Sequence, residues 1–177
     1  MPYRRADIIA ILSKVDHRSK HCAGMKLKTP AIAEAMQPIP QDNAAVREYE
    51  AKEIVRARLL IAAQDAAGLR YEDLEFVNAK LTQPLGGGEW NDPAIANASG
   101  LDAILYAAAN DVTASLEIEI GYAAERRIIR VAVNLENWRS PHRAWDALNC
   151  AEGVCILATT RIPASRLARE VLAEVAH

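Results

Sequence analysis

Residues 116–137 read LEIEIGYAAERRIIRVAVNLEN, and this stretch decides the fold class. Leu116, Ile118 and Ile120 alternate with Glu117 and Glu119. Further on, Ile129, Val131, Val133 and Leu135 alternate with Arg130, Ala132, Asn134 and Glu136. Successive side chains of a strand point to opposite faces, so a period of two predicts strands with one apolar and one polar face. Half-buried strands of this kind suit antiparallel sheets, because parallel strands are covered on both faces. Working outward toward the N-terminus, Leu101–Ala107 alternates weakly. It is read as the first strand of a three-strand antiparallel meander over 101–136. Toward the C-terminus, Pro141 opens a helix through Cys150. Gly153 separates that helix from the apolar run Val154–Ala158, which predicts a buried strand, and Pro163–Val175 predicts a closing amphipathic helix.

The N-terminal half has the helical period instead. Ile8, Ile9, Ile11, Leu12 and Val15 mark a helix over 4–15. Thr29-Pro30 reads as the cap and first residue of a short helix, AIAEAM, which Pro38 and Pro40 end. The longest helix is expected over 43–67, capped by Asn43 and stopped by Gly68. A further helix is expected around Tyr71–Leu81. Between the halves, QPLGGGEWNDPAIANASG (83–100) reads as a long loop. Its three glycines are not a phosphate-binding loop, because no Gly-Lys-Ser/Thr follows. The expected architecture is therefore α+β in a single domain, 1–177. A helical half (1–82) packs on the meander, which is followed by helix, strand and helix. In that arrangement the apolar stripe of the long helix, with Ile54 and Ile61, lies on one face of the sheet. Exposure of those two residues would instead mark an oligomer interface, and a homo-oligomer is expected.

The chain has 177 residues, 51% of them hydrophobic and 25% charged, so it can build its own core. A single phenylalanine, Phe76, means that the core leans on Ala, Val, Ile and Leu. A net charge of −2 excludes a general polyanion binder but allows local basic patches. Arg126, Arg127 and Arg130 form one cluster; Arg139 and Arg143 form another, with His142 at a helix start beside them. Three cysteines, Cys22, Cys150 and Cys155, are not a disulfide framework. They favour a reducing compartment, the cytoplasm. The N-terminal apolar run is broken by Asp7, Ser13 and Lys14 and reads as a helix start, not a signal peptide. No uninterrupted apolar stretch is long enough to span a membrane, so no membrane partner is expected.

The chemistry-bearing candidates are acids on the meander. Glu117 and Glu119 share a face of one strand, Asn134 and Glu136 share a face of the next, and Asp102 stands at the start of the first. Carboxylates converging from adjacent strands can hold Mg²⁺ through oxygen ligands. The bound ion can then activate water and stabilise charge on a phosphodiester. The alternative is plain: an amphipathic strand needs something polar on its wet face, and glutamate serves.

RVAVNLEN at 130–137 and GVCILATTR at 153–161 resemble two strands of the PD-(D/E)xK nucleases, the superfamily that includes type II restriction endonucleases. Over residues 100–175 the order of elements resembles their core as well. The resemblance implies a restriction-endonuclease-like fold and a Mg²⁺-dependent nuclease or a degenerate relative. Asp102, Glu117 and Glu119 would be its metal ligands and catalytic acids, with Glu136 accessory. Arg126, Arg127, Arg130, Arg139, His142 and Arg143 would meet nucleic acid. A motif on the third strand would instead put Asn134 where the first acid belongs.

LDAILYAAAND (101–111) and EIGYAAERRIIRVAV (119–133) also resemble nucleoside 2-deoxyribosyltransferases and TIR-like nucleotide-cleaving proteins. That resemblance implies a helix from Glu119, then a parallel strand, with Glu119 engaging a sugar. A non-enzymatic interaction protein is the third reading. His17, His21 and Cys22 lack the further ligands of a zinc site and read as polar surface. Cys150 and Cys155 read as packed small hydrophobes, and Trp90, Trp138 and Trp145 as packing residues able to stack on bases.

Overall fold

A computed structural model describes residues 2–40, 47–85, 97–123, 125–135 and 154–176. The fold is α+β, with seven helices and two antiparallel sheets among the described residues. Two compact units divide the chain. One comprises Met1–Asn78 with Arg166–His177, the other Ala79–Ser165.

The first unit is built around helices. These are α1 (Arg5–Val15), α2 (Lys20–Lys26), α3 (Pro30–Ala35), α4 (Ala51–Ala67) and most of α5 (Tyr71–Thr82). Most of α7 (Ala164–Val175) completes it. Pro30 is the first residue of α3 after Thr29, as the sequence predicts. Gly68 ends α4 in the left-handed region, φ 60°, a conformation that glycine adopts without steric cost. The start of α4 differs from expectation: it begins at Ala51, not at residue 43. Glu48–Tyr49 form a short strand, β2, paired antiparallel with β1 (Tyr3–Arg4), and the Glu48 carbonyl accepts from the Ile39 N–H at 2.7 Å. Those backbone groups serve the ladder and cannot continue a helix. Helix α4 packs against α1 and α3. Its apolar residues, Ile54, Val55, Leu59, Leu60 and Ile61 among them, are buried around most of its circumference, as expected of a central helix. Phe76 is exposed, and among the described residues the core leans on Ala, Val, Ile and Leu, with Tyr49 the one buried aromatic.

The second unit carries α6 (Gly100–Ala109) and three long strands: β3 (Ala114–Ala123), β4 (Arg126–Leu135) and β5 (Val154–Ile162). Strands β3 and β4 form a hairpin in continuous register from Ala114↔Leu135 to Ala123↔Arg126. At the reversal Glu125 takes a left-handed φ of 66°. Strand β5 pairs antiparallel with the other side of β3, giving the order β4-β3-β5. The expected three-strand antiparallel sheet is present, but its first strand is not. Leu101–Ala107 is helical. Leu101, Ile104, Ala107 and Ala108 are buried at intervals of three and four. The alanine-rich run favours helix, and Ser99 caps it by accepting from the Asp102 N–H at 3.1 Å. The weak alternation there was helical spacing sampled over too few residues. The third strand is β5.

Packing of α6 against β3 and β4 buries Leu116, Ile118, Val133 and Leu135 with Leu101 and Ile104. The ends of the 83–100 loop are stitched by Leu85 N–H to Ala98 O at 3.0 Å and Gly100 N–H to Gln83 O at 3.2 Å. The helix expected from Pro141 to Cys150 lies outside the described residues, as do Glu136 and the glycines at 86–88.

Strand β5 overturns a further expectation. Val154–Ala158 is not a buried strand. It is part of an edge strand that runs to Ile162, and Cys155, Leu157, Ala158 and Thr159 are exposed. A bulge interrupts its pairing: Ile120 faces Ala158 and Gly121 faces Ile156, so Leu157 is the extra residue. A Cβ on Gly121 would stand 2.3 Å from the Cys155 carbonyl oxygen. Only glycine allows the bulged backbone to lie so close.

Candidate functional site

The pleat of β3 divides its side chains. Leu116, Ile118 and Ile120 lie on the face that α6 covers at one end; Ser115, Glu117 and Glu119 lie on the other. On that second face Glu117 is flanked by Ala132 of β4 and Arg161 of β5, and Glu119 by Arg130 of β4 and Thr159 of β5. The two acids are therefore neighbours, as the sequence predicts, but each has its own cation. Glu117 Oε1 accepts from Arg161 Nε at 2.6 Å and stands 2.5 Å from its Nη2. Glu119 Oε2 lies 3.9 Å from Arg130 Nη1. That distance is an ion pair too long for a hydrogen bond, and the buried oxygen makes none. The result is a cross-strand charge ladder, with arginines on the two outer strands and glutamates on the central one.

Asp102 stands elsewhere in the local structure. It occupies the first turn of α6, where its carboxylate accepts from the Ser99 hydroxyl at 2.7 Å. An acid at a helix N-terminus faces the positive end of the macrodipole, so the position has a structural reason. Among the described residues, no group of three His, Cys, Asp or Glu side chains is placed to hold a metal ion. The three acids proposed for Mg²⁺ are not gathered, because the element carrying Asp102 is a helix and not a strand.

The arginines of β4 are divided too. Arg126 and Arg130 project to the Glu119 face, whereas Arg127 pairs in register with Tyr122 on the other. Arg126, nearest the turn, is exposed. Arg139, His142, Arg143, Trp90, Trp138, Trp145 and Cys150 lie outside the described residues. His17 and His21 are exposed, as a polar surface requires. Cys155 is an exposed free thiol and not a packed hydrophobe, because β5 is an edge.

No match was found among family models, curated proteins or solved structures. The reading of the site therefore rests on the geometry alone.

Charges also sit at buried positions of the first unit, where sequence reading gave no prediction. Glu53 and Arg56, on α4, are both buried and 3.2 Å apart. Glu53 Oε2 accepts from the Gln37 N–H at 2.9 Å, and Arg56 Nη1 donates to the Ala35 carbonyl at 2.7 Å. The pair thus serves backbone groups left open at the end of α3. The other Glu53 oxygen and Arg56 Nε are buried without a partner. Nearby in sequence, Arg58 meets Asp16 at 2.5 Å, while Arg18 and Lys26 meet Asp65 at 2.7 and 2.5 Å. Burial pushes the Asp16 carboxyl above its ordinary value, and this outweighs Arg58 and Arg18. Burial pushes Asp65 the same way, but hydrogen bonds and charge from Lys26 and Arg18 more than offset it, and its carboxyl is held below the usual range. The visible signal was Glu53-x-x-Arg56 within an otherwise apolar helix, a spacing that stacks the two side chains.

Among the described residues, no helix is long and apolar enough to cross a membrane. What the second unit presents outward is β5. Its outer edge carries no further strand among the described residues, and Leu157 is 63% exposed.

Proposed function

We propose that this chain is a non-enzymatic interaction protein that receives an extended polypeptide segment along the outer edge of β5. The observation that carries this reading is the state of that strand: residues 157–159 are exposed on consecutive positions, hence on both faces. A strand exposed on both faces at 157–159, with no further strand on its outer edge among the described residues, offers backbone N–H and C=O groups to another chain. Strand addition uses those groups for affinity and alternate side chains for specificity.

The acids support the same reading. Glu117 and Glu119 face arginines and Asp102 faces a helix cap, so each has a structural role that involves neither substrate nor metal ion. The N-glycosidic alternative called for a helix from Glu119, where β3 continues to Ala123 and β4 returns antiparallel. A degenerate nuclease keeps one favourable observation: a hairpin with two acids on one face. Nucleic acid would then meet Arg126 and Arg130, and Mg²⁺ would need a ligand beyond the described residues.

Two measurements test the proposal. Calorimetric titration with Mg²⁺ and Mn²⁺, alongside incubation with plasmid and single-stranded DNA, is expected to give no saturable heat and intact DNA. Cation-dependent cleavage that Glu117→Gln removes would return the chain to the nuclease reading. Amide exchange in dilute solution is expected to show alternation along β5, with amides facing β3 slow and amides facing outward fast. Uniformly slow exchange would mean that the edge is already covered.

A further inference from the structure

The two edges of the sheet differ in a way that selects a partner. Strand β4 bears Arg126, Arg127 and Arg130. Charged side chains on an edge are a common guard against edge-to-edge pairing. Strand β5 has no such guard. From Val154 to Thr160 it carries no charged residue, and its one cation, Arg161, lies against Glu117 of its own chain at 2.5 Å. Its sequence, VCILATTRI, has no proline or glycine and is rich in β-branched residues, so it is well suited to accept a strand.

We infer that the segment received at this edge is β5 of a second copy of the chain, an inference that rests on the docking role proposed above. An antiparallel pair with its two-fold axis at Thr160 uses the regular stretch 158–162, beyond the bulge at Leu157. Ala158 then faces Ile162, Thr160 meets Thr160 of the second copy, and Arg161 faces the uncharged Thr159. No like charges meet. The pairing is isologous, so it closes after two copies instead of growing into a filament. The combined sheet runs β4-β3-β5 and then, in the second copy, β5-β3-β4, so both of its outer edges are the arginine-guarded β4 strands. A partner other than the chain itself would have to supply a strand of matching length and neutrality, and β5 already has both.

The experiment is the mass of the full chain in solution. Sedimentation equilibrium is expected to give twice the 19.3 kDa of one chain at high concentration, dissociating on dilution. Amide exchange should slow in the outward-facing amides of β5 as concentration rises. Thr159→Lys and Thr160→Lys each place a cation within the ladder and should yield monomers with unchanged far-UV circular dichroism. If one variant loses its fold, the other decides. A chain that stays monomeric at every concentration would overturn the inference, since a bulge can itself blunt an edge. So would a dimer that survives both lysine variants. A monomer with fast-exchanging outer amides and no cation binding removes only the second copy as partner. Cation-dependent DNA cleavage removes the docking role itself, whatever the mass.

Discussion

Gly121→Ala sets two opposed effects against each other. At an open position with ordinary backbone angles, the change stabilises by about 0.4–1 kcal/mol, because alanine restricts the unfolded chain. Gly121 has no left-handed φ, so its backbone angles give no reason for glycine. The obstacle is space. An added Cβ would lie 2.3 Å from the Cys155 carbonyl oxygen, 3.0 Å from Ile156 Cα and 3.1 Å from the Cys155 carbonyl carbon. Carbon–oxygen contacts relax near about 3.3 Å, so the overlap with the oxygen is about 1 Å. All three atoms are backbone of β5, held in register by β3, and cannot swing aside as a side chain would. Overpacking of this kind costs about 1–3 kcal/mol. Net of the entropic gain, a loss of up to about 2.5 kcal/mol is expected. Gly24→Ala is the control. Its Cβ would meet only Ile9 Cδ1 at 3.6 Å, and within helix α2 the same substitution should gain about 0.5–1 kcal/mol. Urea unfolding followed by circular dichroism gives the sign of each change, and amide exchange over Val154–Ile156 locates the first. A Gly121→Ala variant as stable as the parent, with unchanged exchange in that segment, would refute the register assigned at the bulge.

Asp65→Asn tests the sign of a pH effect. The Asp65 carboxyl is held below its ordinary value by Lys26 and Arg18 despite burial. Its stabilising contribution is therefore present above the unfolded value and is lost as pH falls through the lower folded one. The variant should be less stable than the parent at about pH 7, and the gap should narrow in urea titrations as pH falls below the ordinary carboxylate range. Asp16 has the opposite sign, because its carboxyl is raised. Its contribution is present below the unfolded value and lost as pH rises through the folded one. Arg56→Met leaves the Glu53 carboxylate buried without its cation, an arrangement that costs about 3–5 kcal/mol. Adding Glu53→Gln should recover much of that loss, since the amide oxygen still accepts from Gln37, and a double-mutant cycle would show the coupling. Glu117→Gln should cost at most about 1 kcal/mol, because Arg161 is largely exposed and water screens the pair. A loss that vanishes in high salt would fit, whereas a salt-independent loss would not.

The long periodic elements were legible in the sequence for a physical reason. Over 116–120 and 129–135 the alternation is strict, and slipping the register by one residue would turn every isoleucine and valine to the wet face. Pro30, Gly68 and the stripe of α1 were readable in the same way, because each obeys a local rule that no tertiary contact overrides. Leu101–Ala107 was not, since alanine is compatible with either period and seven residues are two turns of one element or all of another. The start of α4 was hidden by a non-local event. Glu48–Tyr49 pair with Tyr3–Arg4, more than forty residues away in the chain, and no local pattern announces such a ladder.

The site divides along the same line. That Glu117 and Glu119 share a face follows from the pleat alone, and it holds. What they do depends on β5, whose place in the sheet is set by a crossover and whose Arg161 is the residue that claims Glu117. An apolar run such as Val154–Ala158 gives no indication of whether it lies between two strands or beside one, since the same five side chains suit either position. That ambiguity carries the functional question. A β5 enclosed on both sides would have been core, and its thiol inert. As an edge it leaves Leu157 and Cys155 open to solvent, apolar surface beside backbone groups that pairing with a second strand would engage.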